Sequence, residues 1–159
     1  MFKRAQAAME FLMTYGWAIL VVLAAIGALA YFGVLSPGNL LPQRCEFTAG
    51  LDCTETPSAL ASVGTIEFPL TNSNGYRIHP VSATVTDSDG LAGCTGSVFE
   101  SGGIPVTEVA NGNNFIVRLT GCTGMIQGDR YTATVNVEFV SNSTGMTHRN
   151  VGRLVGKAG

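Results

Sequence analysis

Charge is scarce in this sequence. Asp, Glu, Lys and Arg make up 13% of its 159 residues, too few for a disordered chain or a coiled coil. Nor is positive charge in excess. Nine Lys and Arg against eleven Asp and Glu leave a formal net charge of -2, so the basic footprint of a nucleic-acid binder is missing, and nucleic acid is not an expected partner. The four cysteines form no paired CxxC unit, and His79 and His148 lack zinc-ligand spacing; no metal and no cofactor are expected. Neither histidine comes with a nucleophile and an orienting acid in a motif, so the expected role is not that of an enzyme. The length suits one folded domain with a modest core.

One stretch lacks charge altogether. After Glu10 the next charged residue is Arg44, and residues 11–35 read FLMTYGWAILVVLAAIGALAYFGVL. As a helix this run would extend about 38 Å, enough to cross a hydrocarbon core with tilt. Lys3 and Arg4 precede it, which places the amino terminus in the cytoplasm and everything after Pro37 outside. The small residues Ala28 and Ala30 imitate a signal-peptidase site, but the apolar run continues to Leu35, the pattern of a helix that is kept rather than removed. Glu10, at the start of the run, has two readings. It is either a carboxylate at the membrane interface favoured by the helix amino-terminal dipole, or one that enters an apolar assembly and must find a cationic partner.

The stretch KRAQAAMEFLMTYGWAILVVLAAIGALAYFGVL resembles the class III signal peptide and stem helix of archaeal type IV pilin-like proteins, the group that includes adhesion pilins and is related to archaellins. The resemblance implies that a prepilin peptidase cuts on the cytoplasmic side between Ala5 and Gln6. Glu10 then becomes the fifth residue of the mature chain, placed to neutralise the new amino group of Gln6 in the same or an adjacent subunit. Ala8 stands where the family often has Ser, and Ala5 where Gly is frequent. The ending HRNVGRLVGKAG resembles, more weakly, the closing strand of the same class. A retained stem of this kind would be covered by lipid before assembly and by neighbouring stems afterwards, removing apolar surface from water at about 25 cal/mol per Å². The expected partners are therefore the prepilin peptidase, the pilus assembly machinery, other copies of this chain or related pilins, and the lipid membrane before assembly.

Ser36, Pro37 and Gly38 break the helical pattern, and Pro42 prolongs a connector. Beyond it, residues 63–70, 81–87, 115–120 and 131–140 read as strands, with NVGRLVGK as a last one carrying Arg153 and Lys157 on its solvent side. In YTATVNVEFV, Tyr131, Ala133, Val135, Val137 and Phe139 share one face and Thr132, Thr134, Asn136 and Glu138 the other, one buried and one wet. Pro80 is expected to begin or bend an edge strand. The fold class is α+β: a long hydrophobic N-terminal helix followed by an all-β, sandwich-like head. The segments are a leader at 1–5, a stem or transmembrane helix at 6–35, a connector at 36–44 and an extracellular β-rich head at 45–159.

Four cysteines in an outward domain suit disulfides. Of three possible connectivities, proximity in sequence favours Cys45 with Cys53 and Cys94 with Cys122. Asp87 and Asp89 in TDSDG lack the rest of a calcium loop and read as a solvated turn. Asn142-Ser143-Thr144 is an N-glycosylation sequon, or simply a polar turn. These residues lead to an extracellular filament subunit held in the cytoplasmic membrane as a precursor. The alternative is a permanently anchored single-pass surface protein with a ligand-binding β domain.

Overall fold

The computed structural model describes residues 2–31 and 42–159, and of residues 2–8 and 12 the backbone alone. The expected end of the apolar run at Leu35 and the break at Ser36, Pro37 and Gly38 lie outside the described residues. The chain divides into two compact units, Met1–Leu41 and Pro42–Gly159, and the fold is α+β.

The first unit holds helix α1, Phe2–Tyr31. Ala, Leu and Met supply most of its helix propensity, and the two glycines, Gly16 and Gly27, are tolerated at a cost of about 1 kcal/mol each.

The second unit is built from ten strands. One sheet holds β1 (Arg44–Phe47), β10 (Thr147–Lys157), β9 (Arg130–Ser141) and β5 (Ile78–Asp89) in that order. The other runs β2 (Leu51–Cys53), β4 (Thr65–Asn72), β8 (Asn114–Thr120), β6 (Gly96–Ser101) and β7 (Ile104–Pro105), with β3 (Ser58–Leu60) also paired to β4. All of these strand pairs are antiparallel.

Period-two alternation fills the space between the sheets. From β9 come Tyr131, Ala133, Val135, Val137 and Phe139; from β4, Ile66, Phe68 and Leu70; from β8, Phe115, Val117 and Leu119, all buried. The intervening residues of β9, Thr132, Thr134, Asn136 and Glu138, are only half-buried. Strand β10 turns Gly152 and Gly156 inward, and aromatic rings take the room their side chains would need. The Phe47 ring lies over Gly152 and the Tyr131 ring over Gly156. Phe47 then stacks on Phe68 of the opposite sheet, ring centroids 5.6 Å apart, a spacing that adds attraction beyond area burial.

Both prolines within long strands sit where a missing N–H costs little. Strand β5 is an edge, and its register slips between Pro80 and Ser82. Pro69 lies inside β4, but its carbonyl accepts from the Thr54 N–H at 3.4 Å, so its nitrogen faces the gap between β2 and β3 rather than a partner strand.

The structure joins Cys45 to Cys53 and Cys94 to Cys122. The first bridge links β1 of one sheet to β2 of the other. The second ties the β5–β6 connection to the β8–β9 connection, both of which cross between sheets. Loop-closure entropy grows with the enclosed length, 8 residues of separation against 28. Replacing Cys94 and Cys122 together by Ser is therefore expected to cost about 3.5 kcal/mol, against about 2.5 kcal/mol for Cys45 and Cys53 together. Denaturant unfolding of the two double variants checks that order.

Tyr131 carries the core's one polar misfit among the described residues. Its hydroxyl is buried without a hydrogen-bond partner, and burial pushes its pKa well above the usual tyrosine value. An orphaned buried hydroxyl costs about 1–3 kcal/mol, so Tyr131→Phe is expected to stabilise the fold by part of that amount. A raised folded pKa gives stability that is complete below the unfolded value of about 10 and lost above it. The Phe variant is accordingly expected to unfold less readily than wild type at alkaline pH, as thermal melts across that range would show.

Candidate assembly helix and head surface

Beyond Glu10, the described residues of helix α1 form no charged face. From Phe11 to Tyr31 it carries no charged residue, and its described side chains are exposed apart from Gly16 and Ala18, which are half-exposed. Met13 is 83% and Trp17 69% exposed. A helix apolar on all sides needs lipid or other protein around it. The span Met13–Tyr31 has 19 residues and a mean hydropathy of 2.0, and its length of about 28 Å matches a hydrocarbon core of about 30 Å. Tyr15 and Trp17 mark one end and Tyr31 the other, the placement of interfacial aromatics.

The few polar groups near this span are accommodated locally. The Thr14 hydroxyl donates to the Glu10 carbonyl at 2.8 Å, hiding its polarity against its own helix. Phe11 and Tyr15, one turn apart, bring their rings to 4.6 Å. Glu10 lies three residues before the span with its side chain exposed. Ala5 and Gln6 fall within the helical backbone of α1.

The head has two ends. The chain enters at Pro42 at the end that also holds the Cys94–Cys122 bridge. There, Gly64 and Cys122 exchange a backbone hydrogen bond, and Ala158 meets Ala59 and Asp129. The opposite end carries the 48–50, 73–77, 106–113 and 142–146 turns. Asn72 organises it. Fully buried, its amide donates to the Tyr76 carbonyl at 2.8 Å and the Val109 carbonyl at 3.1 Å, and its oxygen accepts from the Asn74 N–H at 3.1 Å. A buried amide with every bond made fixes the loops around it.

The sequon lies at this far end, in the exposed β9–β10 turn. The Asn142 N–H donates to the Arg77 carbonyl, and its side-chain oxygen lies 3.3 Å from His79 Nε2. His79 Nδ1 is 3.2 Å from the Thr107 carbonyl. His148 sits between Tyr76 and Phe139, ring centroids 6.3 and 5.7 Å away. Among the described residues no three His, Cys, Asp or Glu side chains converge as metal ligands. Asp87 and Asp89 line a shallow polar hollow with Thr132, Thr134 and Arg153.

Among the described residues, two ion-pair groups join neighbouring strands of a sheet, and neither is visible in the sequence because both depend on register. Arg118 of β8 bridges Glu67 of β4 at 2.6 Å and Glu100 of β6 at 2.8 Å. Arg149 of β10 donates to Glu138 of β9 from Nη2 at 2.6 Å and from Nε at 3.1 Å, and the Ser82 hydroxyl of β5 adds a third bond at 3.3 Å. Hydrogen bonding and charge from Arg149, with the Ser82 bond, hold the Glu138 carboxyl below its usual value against an opposing desolvation. A depressed folded pKa gives stability that is present above the unfolded pKa of about 4.3 and lost as pH falls through the folded value. Glu138→Gln is expected to lower stability at neutral pH and to lose that deficit as pH falls below about 4, so that its stability depends less on pH there, as acid titrations of both proteins would reveal.

No protein-family model matches the chain, and no curated protein matches it.

Proposed function

We propose that this protein is the structural subunit of an extracellular archaeal type IV pilus-like filament, made as a membrane-held precursor and assembled through its apolar helix. The observation that carries the reading is the contrast between the two units. The head buries its own core between two sheets, whereas the described large apolar side chains of α1 are exposed. Such a helix is suited first to lipid and then to the stems of other copies, with about 25 cal/mol gained per Å² of apolar surface kept from water.

In this reading a prepilin peptidase cleaves between Ala5 and Gln6, and the assembly machinery extracts the trimmed chain from the cytoplasmic membrane. Glu10 then neutralises the Gln6 amino group within the stem bundle, where an unpaired charge would be too costly. The head lies outside the cell, its disulfides suited to that compartment, and its far-end turns are presented to the surroundings, where Asn142 is a point for glycan attachment. The work of the protein is assembly, display and surface attachment rather than turnover.

Mass spectrometry of the amino-terminal peptide, on membrane and sheared-filament fractions, tests the proposal. Gln6 is the expected terminus in filaments. An intact Met1 terminus confined to membranes would instead favour the alternative, a permanently anchored single-pass surface protein. Glu10→Gln is expected to leave membrane insertion intact and to reduce sheared filament by about ten-fold or more, the effect of leaving a buried charge unpaired; unchanged filament yield would remove Glu10 from assembly.

A further inference from the structure

Two Asn-Gly dipeptides, Asn74-Gly75 and Asn111-Gly112, meet at the far end of the head. This dipeptide is the one most prone to self-modification. The glycine nitrogen attacks the preceding side-chain Cγ and a new N–Cγ bond forms. The Cγ–Nδ2 bond breaks, and ammonia leaves with the proton from the glycine nitrogen. Water then opens the imide to aspartate or isoaspartate, so the net change is one water in and one ammonia out. The turns require glycine here, since Gly75 and Gly112 have φ of 82° and 81°, in the left-handed region that other residues resist.

Each attacking nitrogen is held by a hydrogen bond. The Gly112 N–H donates to the Asn72 carbonyl at 2.7 Å. The Gly75 N–H donates to the side-chain oxygen of Asn111 at 2.8 Å. The nucleophile of one motif is thus fastened to the electrophilic amide of the other. The two amides are not equally secure. Asn74 is half-buried, and its Nδ2 donates to the Gly50 carbonyl at 2.8 Å and to Asn72 Oδ1 at 3.0 Å, which restrains the group that must leave. Asn111 is exposed and held through its oxygen.

We propose that Asn74-Gly75 and Asn111-Gly112 are a coupled pair of latent imide-forming sites, closed in the folded head, with Asn111 acting as the latch on Asn74. Asn111 converts first. Its isoaspartyl product carries an extra backbone carbon, displaces the acceptor from Gly75 and frees that nitrogen, so Asn74 follows. Conversion of Asn74 removes the amide donor that spans Gly50 and Asn72 and places new negative charge among the far-end loops. The proposal does not depend on the filament reading.

The test is a time course of the full-length chain in detergent at mildly alkaline pH, with peptide mapping for the one-dalton gain and for isoaspartate at both sites. The same chain in denaturant gives the unprotected rate. Both sites are expected to convert at least about ten-fold more slowly when folded, in keeping with the need for local opening, and Asn111 ahead of Asn74. Asn111→Ser removes the acceptor and is expected to speed Asn74 conversion about 2- to 10-fold, the weight of one hydrogen bond. Asn111→Asp keeps an acceptor oxygen and has no amide to lose, so Asn74 is expected to convert no faster than in wild type. Equal folded and denatured rates, Asn74 converting first, no acceleration in the Ser variant, or equal acceleration in both variants would each overturn the proposal. Should the Ser variant fail to fold, the order of conversion in wild type and the rate in Asn111→Asp decide alone.

Discussion

The head depends on burial of alternate side chains between two twisted sheets. Its inner layer runs through β9 on one side and through β4 and β8 on the other, and nearly every apolar residue of those strands faces it. Because side chains alternate strictly, a one-residue slip in any of them would turn the apolar row outward. Much else follows from that constraint. β10 can afford two inward glycines because the Phe47 and Tyr131 rings fill the space over them. Both disulfides join strands or connections that belong to opposite sheets, so they resist separation of the layers rather than fraying of one.

What the sequence makes legible is local. YTATVNVEFV displays its period openly, and the strand observed at Arg130–Ser141 extends the expected one by a residue at each end. The 63–70 segment becomes Thr65–Asn72, a shift of two residues, because the turn ends at Gly64 and because Asn72, polar in sequence, faces inward as the hub of the far-end loops. The 81–87 segment grows to Ile78–Asp89, since an edge strand tolerates Pro80 at its start and two register slips. Strands β1, β2, β3, β6 and β7 are short and carry Cys, Ser, Gly and Pro; pairing with distant strands creates them, and no local propensity announces them.

The candidate site divides in the same way. An apolar helix is read from composition, since nothing about it depends on tertiary contacts. The Arg118 and Arg149 ion pairs and the two glycine locks join residues that lie 11 to 51 positions apart, and only the register brings them together. Cysteine pairing is intermediate. Sequence proximity favours Cys45 with Cys53 and Cys94 with Cys122, and the structure contains those two bridges. The reason they suit the fold, joining the sheets at an edge and at one end, belongs to topology.

The two units answer opposite demands with the same apolar residue types. In the head, polar residues at every second position limit the apolar surface to one face, and that face is consumed internally. In α1, no polar residue interrupts the run after Glu10 except Thr14, whose hydroxyl is turned back onto the helix, and nothing is consumed. A chain that completes one core and leaves another surface wholly apolar has placed its remaining hydrophobic free energy outside itself, to be realised in lipid or against other helices. Among the described residues, the core of the head is built from head strands and their connections. The division is written into the sequence as a change of hydrophobic period from continuous to two.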